Sequence, residues 1–416
     1  MSTSPLPEHS ARVIGQNARA PVVVLFVHFG NAWIRGSEQC LLDLAGHLDK
    51  TKFTPVVICN QELLASEARK LGLIAFVSAA VFATDVIPMK SQVAELKRLA
   101  ILHGAQVIHA NSTVVMPALV RIARRLRIPL VAHLHTTPTR AERLHELLHQ
   151  ANAIVGVSAT SIQGFVNDGM PVRAVRMIHN AVDGERISVG DATQLRATLA
   201  IPQDAITLGV VCSLIARKNV EMLIEAVVEL RERNRNVRLI VVGSGESETA
   251  LRQLAARRGV VDVVHFLGDR RDAGAVVRDA VDIVVSGAHE ESFGLTLIEG
   301  GYFGRPTVAT DIPSHREILV DGITGLLSAP NDARAFAEKI EILLANESVR
   351  LKMGDAARRR VQQSFGLSRY VLEFEALYLE LIDKSPNHYG WLRSSRWPSA
   401  YIGWILEIIA RRLRRS

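Results

Sequence analysis

The sequence predicts an α/β protein made of two successive open, doubly wound sheets that face each other across a cleft. Three observations predict it. Apolar runs of four to eight residues lack polar alternation, which suits strands buried on both faces of a parallel sheet. Longer amphipathic stretches separate these runs, as crossover helices would. The series pauses at Asn180-Ala-Val-Asp183 and Gly190-Asp191 and then restarts. With 416 residues the chain exceeds one ordinary core and accommodates two of about 200 residues.

In the first series, strands are expected at Val22–Phe29, Pro55–Cys59, Ile74–Ser78, Val107–Ala110, Leu130–His135 and Ile154–Val157. Helical periodicity falls between them at Glu38–Leu48, Gln61–Leu71, Ser91–His103 and Ala118–Leu126. The second series places strands at Thr207–Cys212, Leu239–Val242, Val263–Phe266, Ile283–Ser286 and Thr307–Thr310, and residues 332–383 read as mostly helical. The expected organisation is a flexible N-terminus (1–20), a first lobe (21–185), a second lobe (190–365), a helix placed to cross back to the first lobe (366–385), and a tail (386–416). Open sheets of this kind bind ligands beyond the carboxyl ends of their strands, so the strand-to-helix junctions carry the candidates.

Hydrophobic content of 48% and charged content of 22% place the chain among globular proteins. A formal charge of +7 favours an anionic partner. No aromatic-interleaved basic repeat and no zinc-finger spacing occur, so nucleic acid is not expected. Cys40, Cys59 and Cys212 are odd in number and set in apolar runs, which reads as reduced cysteines in a cytoplasmic setting. The first twenty residues lack the apolar segment of a secretory signal, and no run of about 18 apolar residues suggests a spanning helix. The tail gathers Trp391, Trp397 and Trp404 around apolar Ile402–Ala410 and ends in Arg411-Arg-Leu-Arg-Arg415. That pattern fits a helix lying on an anionic membrane surface, and equally one docked on the protein's own core.

The most informative junction is Glu291-Ser-Phe-Gly-Leu-Thr-Leu-Ile-Glu299. Two acids flank Phe293-Gly294 where a strand gives way to a helix, whose start offers unpaired N–H groups and a positive dipole end to phosphate. At ~1.5 Å per residue Glu299 lies roughly 6–8 Å into that helix, placed to grip a ribose. After the strand ending at Cys212 come Arg217-Lys218-Asn219, two cations at a helix start with Asn219 as N-cap. Cations there oppose the macrodipole, a conflict that an anion resolves. Gly243-Ser-Gly245 lacks the third glycine of a dinucleotide fingerprint and reads as a tight turn. The loop Gly268-Asp-Arg270-Arg271 is expected beside the cleft, where it could cradle a nucleobase. In the first lobe, Gly30–Glu38 brings glycines and a Ser37-Glu38 helix start to the end of the first strand. His109, Asn111, His133 and His135 end adjacent strands, and no carboxylate or cysteine completes a metal-ligand set among them.

Together these blocks resemble the retaining glycosyltransferase family 4, whose fold is GT-B. The resemblance runs from about Val22 to Leu381. It is specific at Val237–Glu246, Val263–Gly268, Glu291–Glu299 and Asp321–Leu327, and looser at Val107–Asn111, Ala153–Ser158 and Val175–Asp183. By position it implies that Lys218 contacts a donor diphosphate, and that Glu291 with the amides around Phe293 and Gly294 holds the transferred sugar. It further implies that the Leu295 and Thr296 amides contact phosphate, that Glu299 holds the ribose hydroxyls, that His135 faces the sugar, and that Gly36 and Ser37 lie near the acceptor. Two departures stand out. The family's usual Gly-Arg at a strand end reads Cys212-Ser213 here, and its Asn-Gly reads Asn180-Ala181. Arg217 is expected to supply the missing cation.

The expected activity is retaining transfer from a nucleoside-diphosphate sugar to a saccharide or lipid-linked acceptor, in cell-envelope or extracellular glycan synthesis. The expected setting is the cytoplasm or the inner face of its membrane, with no metal or other cofactor. A sugar-nucleotide epimerase of the same fold and a non-catalytic membrane-associated partner are the alternatives. A dinucleotide-dependent oxidoreductase is disfavoured because Gly243-Ser-Gly245 stands alone.

Overall fold

The computed structural model describes residues 20–82 and 88–384. The tail expected on a membrane surface lies outside the described residues, as does all but the last residue of the N-terminal segment.

Two parallel sheets form the framework. The first contains β1 (Val22–His28), β2 (Phe53–Cys59), β3 (Ile74–Val77), β4 (Val107–Ala110), β5 (Leu130–Leu134), β6 (Ala153–Gly156) and β7 (Val175–Met177), in the order β3-β2-β1-β4-β5-β6-β7. The second contains β8 (Ile206–Val211), β9 (Val237–Val242), β10 (Val264–Gly268), β11 (Ile283–Ser286), β12 (Thr307–Thr310) and β13 (Gly325–Ser328), in the order β10-β9-β8-β11-β12-β13. The order therefore reverses between β1 and β4 in one sheet and between β8 and β11 in the other. Such reversals splay the flanking loops apart and open a crevice at the strand ends.

Both faces of each sheet are covered, which explains the unbroken apolar runs. In β1, Leu25 and Val27 pack toward one core while Val24 and Phe26 pack toward another. Leu208 and Val210 of the second sheet join one core, and Ile240 and Val242 join a second on the opposite face. The helix Leu367–Asp383 leaves the second lobe and lies on the first, burying Tyr370, Phe374 and Tyr378 against Val24 and Phe26. Tyr378 Oη is 2.7 Å from His109 Nδ1, and Glu375 accepts from the Asp49 amide at 2.7 Å.

Three local expectations need correction. β5 stops at Leu134, leaving His135 in the loop that follows it. β10 runs on to Gly268 through an irregular register after Phe266. β7 and β13, which sequence patterning did not single out, are edge strands of three and four residues without an apolar run: Arg176 interrupts the first, and the second has only Leu326 and Leu327 between a glycine and a serine.

Candidate active site

The loops that follow β8 and β11 carry the cations and the first of the two acids singled out in the sequence. β8 ends at Val211, and a short turn, Ala216–Lys218, leads into the helix Val220–Glu232. Asn219 caps that helix with a left-handed backbone, its side chain accepting from the Met222 amide. Lys218 hydrogen-bonds to Glu291 Oε2, and Arg217 Nη1 lies 3.7 Å from Glu291 Oε1. Burial alone would raise the Glu291 pKa. The charge and hydrogen bond of Lys218, with the charge of Arg217, outweigh it and hold the carboxyl below its ordinary range. The anion that the two cations require is thus supplied first by the chain itself.

Glu291 also accepts from its own neighbour's amide, Ser292 N, at 3.2 Å. Phe293 is buried beside His179 and Phe365. Gly294 then starts the helix Leu295–Tyr302 with φ +115°, a backbone that L residues rarely adopt. No side chain caps this helix, so its first amides stay open at the strand ends. The Thr296 hydroxyl bonds to the Val211 carbonyl at 2.8 Å, which ties the helix start to the end of β8. Glu299, one turn in, is half-buried, and burial raises its pKa. Arg186 opposes that rise and Asp43 adds to it. Asp43 and Arg186 pair at 3.2 Å. Glu299, Asp43 and Arg186 come from three distant segments, so no local pattern could have revealed the cluster.

The first lobe meets this region with the helix Gly36–His47. A Cβ on Gly36 would sit 3.3 Å from Leu295 Cδ1, so the starts of two helices abut across the lobes. Ser37 donates to Glu38, which also accepts from the Arg35 amide and bonds to His28. His28 bonds in turn to Asn111, and Asn111 to His135. Burial, then the neighbouring His133 and His28, push the His135 pKa well below the usual histidine value and keep the ring neutral. His109 and His133 do not reach the cleft. They are sealed under the Leu367–Asp383 helix, and burial lowers His109 to about 3.

One cation departs from expectation. Arg217 does not turn to Ser213 but to the Glu290 carbonyl at 3.2 Å and to Glu291. The cation on Ser213 is Arg35, whose Nη1 lies 2.9 Å from its hydroxyl oxygen. Arg270 is held by both oxygens of Asp272, while Gly268 accepts from Gly243 N at 2.8 Å. The glycines 243 and 245 serve backbone packing. A Cβ there would fall within 1.9 Å of the Cys212 carbonyl and 2.3 Å of the Leu214 carbonyl.

Family models match the chain along both lobes. The model of glycosyl transferases group 1 matches residues 191–360, and that of Glycosyltransferase Family 4 matches residues 34–186. A D-inositol 3-phosphate glycosyltransferase of Frankia alni is 31% identical over 291 residues, spanning 63% of this chain and 71% of its own length. The chain belongs to glycosyltransferase family 4. This family 4 transferase is also 25% identical over 305 residues to the N-acetyl-alpha-D-glucosaminyl L-malate synthase of Bacillus anthracis, a match covering 71% of this chain and 79% of the relative. With the phosphatidyl-myo-inositol mannosyltransferase of Mycobacterium leprae the identity is 34% over 166 residues, and the match spans 44% of that protein. In three dimensions the transferase is similar to Anabaena HepE in complex with UDP and glucose, with a TM-score of 0.76 at 20% identity, over 86% of this chain and 100% of that one. A glycosyltransferase of Rickettsia africae superposes with a TM-score of 0.77 at 18% identity, over 88% and 100% of the two chains. Both likenesses establish the GT-B fold.

Proposed function

We propose that the enzyme moves a sugar from a nucleoside-diphosphate sugar to a hydroxyl of a saccharide or lipid-linked saccharide, with retention of configuration, in cell-envelope or extracellular glycan synthesis. One observation carries this reading: Lys218, Glu291 and the uncapped start of the Leu295–Tyr302 helix converge where the second sheet reverses. An ammonium and a helix tip are suited to the charge that develops on a leaving diphosphate. Glu299 is one turn along the same helix, the right distance to hold the attached ribose. Glu291 and the amides near Phe293 and Gly294 would hold the sugar, and His135, neutral, would face it from the other lobe. The UDP and UDP-glucose bound by Anabaena HepE support a donor of this class.

Retention is favoured by the surroundings. Glu38 is committed to His28, Ser37 and the Arg35 amide, and Asp43 to Arg186 and Gln39. Neither is free to attack the anomeric carbon, which favours delivery of the acceptor hydroxyl on the leaving group's own face. We take charge stabilisation to come from side chains and amides, so activity should survive exhaustive chelation with EDTA.

A thermal-shift screen against UDP-, GDP- and ADP-sugars tests the donor, because a ligand of the folded form raises the melting temperature. Nucleoside diphosphate released in an acceptor-dependent assay then tests transfer, and Lys218→Ala and Glu299→Ala should each abolish it in folded protein. Epimerised donor released without any acceptor would overturn the reading in favour of an epimerase. Among the described residues no helix is long and apolar enough to cross a membrane. A surface role for residues 391–416 predicts that their deletion ends co-sedimentation with anionic liposomes.

A further inference from the structure

We propose that Arg35, from the first lobe, supplies to the donor's leaving diphosphate the guanidinium that the resembled family presents from the position of Ser213. This rests on the donor reading above and assigns the missing cation within it.

The geometry is specific. Arg35 and Ser213 are 178 residues apart, in different lobes, and meet at 2.9 Å between guanidinium and hydroxyl. Arg35 follows β1 and Ser213 follows β8, so each sits where its own sheet reverses and a ligand crevice opens. Ser213 is small and stands two residues past Val211, whose carbonyl accepts from Thr296 at the start of the Leu295–Tyr302 helix, so a longer side chain from the other lobe can reach this point. Arg35 is also unspent. Among the described residues its guanidinium makes the Ser213 bond and stacks on the Trp33 ring at 4.4 Å, with no carboxylate in ion-pairing reach. A guanidinium has five N–H donors, so it can keep Ser213 and still grip phosphate. Lys218 and Arg217, by contrast, both share Glu291.

The loop bearing Arg35 is braced for such a task. Glu38 accepts from the Arg35 amide at 3.2 Å and from Ser37, and it bonds to His28 at 3.1 Å. His28 and the Ser37 carbonyl are both held by Asn111, itself bonded to His135. Arg35 is thus the outer end of a buried polar chain spanning the ends of β1, β4 and β5. Glu38 acts as its positioning residue.

In the transfer step the bond between the anomeric carbon and the β-phosphate oxygen breaks, its electron pair going to that oxygen. The acceptor hydroxyl oxygen bonds to the same carbon, and its proton passes to the leaving phosphate oxygen. Arg35 and Lys218 would meet the departing charge from opposite lobes. Charge stabilisation then becomes complete only when the lobes come together.

The test uses the full-length protein and measures nucleoside diphosphate released from UDP-glucose, UDP-N-acetylglucosamine and GDP-mannose, with UDP and GDP binding by calorimetry. Arg35→Ala should keep its melting temperature, bind the preferred diphosphate more weakly, and lose about 10²–10³-fold in kcat, the usual cost of removing one donor to a developing anion. The double variant Arg35→Ala/Ser213→Arg should recover most of that loss, which no purely structural role of Arg35 would allow. An unchanged kcat in Arg35→Ala, or a loss that Ser213→Arg fails to restore, overturns the assignment while leaving the donor reading intact. Failure of the unaltered protein to bind or turn over any of these probes overturns both.

Discussion

Lys218 and Glu291 are bonded to each other, so a diphosphate must compete with a carboxylate for the same ammonium. The pair also couples stability to pH. The folded pKa of Glu291 lies below its ordinary 4.5, so its stabilisation is present above that value and is lost as pH falls through the lower, folded pKa. Glu291→Gln removes the coupling and leaves Lys218 poorly partnered, at a cost of about 1–3 kcal/mol at pH 7. Denaturant unfolding should show a gap between wild type and variant that is widest near neutrality and closes below pH 4.5. A gap that persists in acid would mean that the pairing with Lys218 is not its source. The acidic pair and the lysine were legible because their loops follow recognisable strands. Arg35 was not: its partner is 178 residues away, and only the fold brings the two together. The glycines around it drew attention to the loop but not to its cation.

The strands of the two interiors were legible because burial on both faces leaves apolar runs such as Val24–Val27 and Ile283–Val285, all buried. Legibility faded at the far edge of each sheet, where β7 has only three residues with an arginine at its centre and β13, Gly325–Ser328, has only two apolar residues between a glycine and a serine. The helix Leu295–Tyr302 depends on its first turn, and that turn depends on Gly294. Alanine there must accept φ +115° and place a Cβ 3.3 Å from Ile318 Cδ1. We expect Gly294→Ala to cost about 1–3 kcal/mol in urea unfolding and to tilt the amides aimed at phosphate, with loss of transfer. Gly322→Ala is the control. That glycine also has positive φ, +75°, but nothing lies within 4 Å of the new methyl group. Equal losses of activity in the two variants would show that the helix start is not special.

At the scale of the molecule, the α/β class and the restart of the pattern were readable from periodicity, but the contacts joining the lobes were not. They come from residues with no local signature. Glu317, in the second lobe, accepts from the Ala159 amide at 3.0 and 3.2 Å, at the start of the helix Ala159–Asn167, and from His179 at 2.9 Å. A carboxylate at a helix N-terminus is favoured by the helix dipole as well as by the hydrogen bonds. The largest apolar clusters of the two lobes are separate, and one smaller cluster joins Val157 and Val182 of the first lobe to Phe293, Ile318 and Phe365 of the second, so removing this clamp leaves each interior whole and the lobes held by that apolar contact. Glu317→Ala is therefore expected to weaken the closed arrangement by about 1.5–3 kcal/mol, the worth of hydrogen bonds to a charged group. That is on the order of a 10- to 150-fold shift toward open forms. X-ray scattering should report a larger radius of gyration, and the donor KM should rise because the bond between Arg35 and Ser213 forms only when the lobes meet. Saturating nucleoside diphosphate should pull the variant back toward the wild-type radius, since a ligand held by both lobes favours the form in which they touch. A variant as compact as wild type, with an unaltered KM, would transfer the burden of closure to the pair Asp43–Arg186 and to the helix Leu367–Asp383.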